Sequence, residues 1–149
     1  MKSASYKCRI LLDTNVLLEY LDRSRSKHLL VINRIRCLRE KGCELLIAPQ
    51  CLYELWVVLT RPRENNGYGF SPKVASAYIR QLEETFVLEQ DPPQMSQTWL
   101  DLCVRYEVIG RQAHDARLVA WMKGHGVDGI LTLNPSDFSR FWDVLVIPI

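Results

Sequence analysis

Ile10-Leu11-Leu12-Asp13-Thr14-Asn15-Val16-Leu17-Leu18 is an apolar run that ends in a carboxylate, passes through two short polar side chains and becomes apolar again. The first run has the character of a buried strand, and the second suits a helix beginning near Val16 with Asp13 as its cap. In an α/β protein this puts the acid at the carboxyl edge of the sheet, where such folds gather their chemistry. Three further acids stand in similar settings: Glu54 in Leu52-Tyr53-Glu54-Leu55, Asp115 in His114-Asp115-Ala116, and Asp137 in Thr132-Leu133-Asn134-Pro135-Ser136-Asp137-Phe138.

Outward from this segment, short Leu- and Val-rich runs alternate with helix-length amphipathic stretches, the pattern of a parallel sheet covered by helices on both faces. Strands are expected over about 8–13, 44–48, 85–89, 129–133 and 144–148, with ends good to about 2–4 residues. The second and the last, Glu44-Leu45-Leu46-Ile47-Ala48 and Val144-Leu145-Val146-Ile147, read as buried parallel strands. A helix over Lys27–Lys41 places Leu30, Val31, Ile35 and Leu38 inward and stops at Gly42. The next starts at Pro49 and carries Leu52, Leu55, Trp56 and Leu59 inward before Arg61-Pro62. Others run from Ser71-Pro72 through Glu84, after Pro92-Pro93 with Met95, Trp99, Leu102 and Cys103 on the apolar side, and from about Gln112 to His125. The segment Arg61–Phe70 reads equally as a lip that touches substrate or as a plain connection.

At 149 residues, 48% apolar and 24% charged, the chain has the composition of one soluble globular domain. No apolar run approaches the ~20 residues of a membrane span. Residues 1–7 lead into a strand rather than a signal-peptide core, which points to the cytoplasm. The five cysteines are odd in number and form no Cys-x-x-Cys pair. They indicate neither a disulfide framework nor a zinc site and read as small buried apolar groups. The net charge of +2 is unevenly spread: residues 1–41 hold ten Lys and Arg against four acids, whereas residues 42–149 hold nine against thirteen. A basic flank beside an acidic cleft suits a phosphate backbone, and solvated helix faces give the same count.

The four acids draw their meaning from one another. Alone, Asp13 is a cap, Asp115 a favourable charge at a helix start, Asp137 a turn former and Glu54 a surface residue. Brought within ~5 Å, each pair of carboxylates repels by roughly 3 kcal/mol at an effective dielectric of 20. Protonation or a bound cation must relieve that, and oxygen-only donors select Mg²⁺ or Mn²⁺ over zinc. Histidine at position 114 reads as structural, because two-metal hydrolysis does not require it.

These residues resemble the PIN domain, a metal-dependent ribonuclease fold common in VapC-type toxins of bacterial toxin-antitoxin pairs. The likeness runs from Leu11-Leu12-Asp13-Thr14-Asn15-Val16 through Gly110–Leu118 to Ile130–Phe138, so residues 1–149 are expected to form one PIN-like three-layer α/β/α domain with about five parallel strands. The resemblance implies an Mg²⁺- or Mn²⁺-dependent endoribonuclease with Asp13, Glu54 and Asp115 as catalytic metal ligands. The fourth position departs from the family pattern: Asn134 stands where many members carry an acid, leaving Asp137 as the contributor and Asn134 as a polar orienter. Thr14, Asn15 and Thr132 are expected to support the first carboxylate, and Arg61 and Arg63 are candidate RNA contacts. The resemblance further implies RNA as substrate, a cognate antitoxin and a homodimer, for which Trp99, Trp121 and Trp142 offer aromatic surface if the core does not take them. Two rivals remain open. A degenerate PIN-like module would bind RNA or a protein without cutting it, and a haloacid-dehalogenase-like phosphotransferase fits the strand-then-Asp start but lacks the second acid of that motif in Asp13-Thr14-Asn15.

Overall fold

The computed structural model describes residues 8–149, so the reading of residues 1–7 as a lead-in lies outside the described part. The elements follow in the order β1 (Cys8–Leu12), α1 (Thr14–Leu21), α2 (His28–Glu40), β2 (Cys43–Ile47), α3 (Pro49–Thr60), α4 (Pro72–Thr85), β3 (Val87–Leu88), α5 (Met95–Arg105), α6 (Gln112–His125), β4 (Gly129–Leu131) and β5 (Leu145–Ile147), with short 3₁₀ turns at Arg63–Asn65 and Pro135–Phe138. The five strands are all parallel, in the order β3-β2-β1-β4-β5. Strand order reverses between β1 and β4, which makes their carboxyl ends the switch point of the sheet.

The central strands are apolar because both their faces are covered. Leu11, Leu12, Leu46, Ile47, Ile130 and Leu131 have no exposed surface, each contributing about 1.5–3 kcal/mol by leaving water. Trp121 and Val119 of α6 and Leu55 of α3 fill the layers against them.

The last strand is a correction. Its apolar run matches that of β2, yet β5 lies at the sheet edge with Leu145 58% exposed, because a run of apolar residues does not tell a central strand from an outer one. Leu30, expected inward, is 55% exposed, and Trp142, assigned to the core before any interface, is 72% exposed. Trp121 is fully buried and Trp99 half-buried. The cysteines also depart from expectation: Cys8 and Cys43 are register partners on β1 and β2, with Cα atoms 4.5 Å apart, and form a disulfide. Their 35-residue separation carries no motif; only the parallel register brings them together. Cys51 is buried, as a small apolar side chain should be, while Cys37 and Cys103 are half-buried free thiols.

The Arg61–Phe70 segment is a tight connection. Tyr68 and Phe70 amides donate back to the Val58 and Leu59 carbonyls at 3.0 and 2.9 Å, and the Tyr68 hydroxyl donates to Asp22.

At the far end of α6, Gly124 lets the helix approach the buried ring of Pro92, which a Cβ at this position would strike. An alanine gains about 1 kcal/mol of helix propensity, and overpacking against a rigid ring costs about 1–3 kcal/mol. Gly124→Ala is therefore expected to lower the unfolding midpoint in urea; an unchanged or raised midpoint would show that the helix and Pro92 separate freely.

Candidate functional site

Asp13 follows β1 directly, and its backbone amide extends the β1–β4 ladder by donating to the Leu131 carbonyl at 3.0 Å. It caps α1 with extended backbone, its Oδ1 accepting the Thr14 amide at 2.8 Å. Its Oδ2 accepts the Thr132 hydroxyl at 2.8 Å and the Asn15 amide at 3.3 Å. The Thr132 oxygen also receives the Asn134 amide at 3.0 Å, which leaves its proton for Asp13. With every partner a donor, the contacts suit an ionised carboxylate. Burial is the largest influence in the other direction: Asp13 is 7% exposed, and its pKa lies above the ordinary value, with further upward pushes from Glu54 and Asp137.

The other acids arrive from separate elements. Glu54 sits one turn and a half into α3, placed beside the sheet edge because Pro49 starts that helix immediately after β2. Thr14 donates to its Oε2 at 2.8 Å, which ties α3 to the start of α1. Asp115 lies in the first turn of α6. Its pKa is raised to about 6, first by burial and then by Asp137, Asp13 and Glu54, with His114 acting the opposite way. Asp137 is exposed on the 3₁₀ turn after β4.

All four predicted acids thus lie in one another's field, and none takes part in a salt bridge among the described residues. They do not form a closed cage: among the described residues no three His, Cys, Asp or Glu side chains are grouped closely enough to hold an ion by themselves. That spacing is compatible with Mg²⁺ or Mn²⁺, which keeps several waters and takes one or two carboxylates directly. Cys51 lies beneath the cluster, but burial pushes its thiol far up, so the available donors are hard oxygens.

The supporting residues divide. Asn15 and Thr132 donate to Asp13, Thr14 reaches Asp13 through its amide and Glu54 through its hydroxyl, and the Asn15 carbonyl oxygen also accepts the Leu133 amide at 3.0 Å. Asn134 takes part through its backbone amide. Arg61 is the residue that caps the end of α3, seven residues or about 10 Å of helix axis beyond Glu54, Arg63 begins the 3₁₀ turn that follows, and Arg61 Nη2 donates to the Asn66 carbonyl at 3.0 Å. A cavity of about 270 Å³ lined by Leu18, Leu59, Tyr68 and Phe70 together with Asp22 and Arg23 contains none of the four acids and neither Arg61 nor Arg63.

Gln50 was not singled out by the sequence reading. It is 6% exposed and donates to Glu54 Oε1 at 2.8 Å and to the His114 carbonyl at 2.9 Å. Its signal was the four-residue spacing to Glu54 on one helix face.

Comparison with known proteins places the family and the fold. The sequence model of the PIN domain family matches residues 9–135. Ribonuclease VapC24 of Mycobacterium tuberculosis is 29% identical over 144 residues, covering 89% of this chain and 94% of that protein. A chain of the VapBC2 complex of Rickettsia felis, solved with a promoter DNA fragment, superposes with a TM-score of 0.72 at 12% identity, over 95% of this chain and 98% of the other. VapC20 of M. tuberculosis, a sarcin-ricin loop cleaving toxin, gives a TM-score of 0.57 at 20% identity, over 81% and 86%.

The raised pKa of Asp115 predicts a pH dependence of folding without metal. The unfolded carboxyl ionises near 3.8 and the folded one near 6, so the fold holds this proton more tightly. Its stabilising contribution is complete below about 3.8 and is lost as pH rises through about 6. Asp13 acts with the same sign. Urea unfolding in EDTA is expected to give a midpoint that falls between pH 4 and 7, with a shallower fall in Asp115→Asn; equal slopes in the two proteins would contradict the assignment.

Proposed function

This chain belongs to the PIN domain family, and from that premise we propose that it is a metal-dependent endoribonuclease, the toxin of a type II toxin-antitoxin pair. The observation that carries the reading is the hydrogen-bonded link from Asp13 through Thr14 to Glu54 and through Gln50 to the backbone before Asp115, with no basic side chain in a salt bridge to these acids or Asp137 among the described residues. The VapC ribonuclease relative, aligned over most of both chains, supports RNA as the substrate.

In this reading Asp13 and Asp115 hold Mg²⁺ or Mn²⁺, and Glu54 and Asp137 complete the oxygen donor set or orient water. The bound ion supplies charge neutralisation at the scissile phosphate and Lewis-acid polarisation. Thr132, Asn15 and the Thr14 amide aim the Asp13 carboxylate and oppose the upward push of burial on its pKa. Thr14 and Gln50 hold the two oxygens of Glu54. The partners proposed with this activity are an antitoxin whose segment enters the acidic cleft and a second copy of the chain. The VapBC architecture of the superposed structures supports the first. The proposed compartment is the cytoplasm; no described helix is long and apolar enough to cross a membrane.

The lack of a grouped set of three acids among the described residues and Asn134 in place of an acid favour one second reading, a PIN-like module that binds without cutting. Incubation of purified protein with single-stranded RNA and Mn²⁺ separates the two. Cleavage is expected, with Asp13→Asn and Asp115→Asn each reduced to the level of the EDTA control. Cleavage that survives both substitutions would exclude this site, and absence of both Mn²⁺ uptake and cleavage by the folded wild type would favour the binding module.

A further inference from the structure

We infer that Gln50 is a positioning residue, held in one orientation by Arg117, that fixes the Glu54 carboxylate relative to the Asp115-bearing start of α6. The inference rests on the proposed metal-site reading of Glu54 and Asp115.

Its basis is a complete account of one buried amide. The two protons of Gln50 Nε2 go to acceptors that cannot donate, Glu54 Oε1 at 2.8 Å and the His114 carbonyl at 2.9 Å. Its Oε1 receives Arg117 Nη1, a group that cannot accept, at 3.0 Å. Turning the amide over would set its NH₂ against a guanidinium and its oxygen against a carboxylate, so chemistry leaves one orientation. Arg117 is in turn steadied by Asp91, whose Oδ2 accepts Nη2 at 2.8 Å.

The geometry has a consequence for two helices. Glu54 projects from α3, whereas His114 immediately precedes Asp115 on α6. One side chain therefore ties the carboxylate of one helix to the backbone carrying the carboxylate of the other. With Thr14 on its second oxygen, Glu54 has both oxygens held before any ligand arrives. Removing such an orienting partner from a metal ligand typically weakens metal binding about ten- to a hundredfold.

Mn²⁺ binding to the intact protein, followed by electron paramagnetic resonance of the free ion, tests this with wild type, Gln50→Met, Glu54→Gln and the double variant. Methionine keeps the length of the side chain and loses the donors. Gln50→Met is expected to bind Mn²⁺ about ten- to a hundredfold more weakly, and the double variant no more weakly than Glu54→Gln alone, because Gln50 acts through Glu54. Wild-type affinity in Gln50→Met, or losses that multiply in the double variant, would overturn the inference while leaving the metal site standing. Wild-type affinity in Glu54→Gln would instead show that Glu54 does not hold the ion and would overturn the inference, leaving the site of Asp13 and Asp115 to the cleavage test. Should Gln50→Met fail to fold, Arg117→Lys decides by the same pattern, since a single ammonium cannot reproduce the fork that joins Gln50 to Asp91.

Discussion

A carboxylate buried between two parallel strands needs donors, and the hydroxyl of Thr132 is the donor on which this site depends. Asp13 and Thr132 are carried past the ends of β1 and β4 by a register that pairs Leu12 with Leu131, and their 2.8 Å hydrogen bond closes the switch point of the sheet. Burial alone would favour a neutral acid at this position; the convergence of three donors opposes it. The two tendencies leave a carboxylate whose hydrogen bonds suit the charged form while burial withholds countercharge from it.

The fold separates this demanding end from a quieter one. At the carboxyl ends of the strands lie the acids and the polar groups that aim them. At the amino ends, the Cys8–Cys43 disulfide and the Arg9–Glu44 ion pair at 3.0 Å join β1 to β2. Between them the fully buried leucines and isoleucines of the central strands hold the register on which the elements bearing the acids are set. Nothing local brings the elements that carry Glu54, Asp115 and Asp137 to one side of the molecule; the topology β3-β2-β1-β4-β5 does.

Much of this was legible in the chain because local signals agreed. The apolar run before Asp13, Pro49 after β2, Ser71-Pro72 before α4 and Gly42 after α2 each announce a boundary that the structure keeps, and the family resemblance placed the acids on adjoining edges. What escaped depends on neighbours distant in sequence. Leu145 looks like a core residue until the crossovers assign β5 to an edge. Cys8 and Cys43 are unremarkable until parallel pairing sets them side by side. Gln50 stands at a visible spacing from Glu54, but its contact with the His114 carbonyl, 64 residues away, belongs to tertiary structure alone. Asn134 shows a subtler limit: its residue type invited a side-chain role, while its backbone amide makes the observed contact with Thr132.

The central claim is that these carboxylates share a hard cation, and diffraction from crystals soaked in Mn²⁺, with the anomalous signal recorded at the manganese edge, tests it most directly. The account predicts an anomalous peak at the β1–β4 switch point with carboxylate oxygens of Asp13 and Asp115 about 2.1 Å away and the rest of its shell drawn from water and the neighbouring acids. A cleft without anomalous density in crystals that bind manganese elsewhere, or Asp13, Glu54 and Asp115 turned toward separate surfaces, would contradict it.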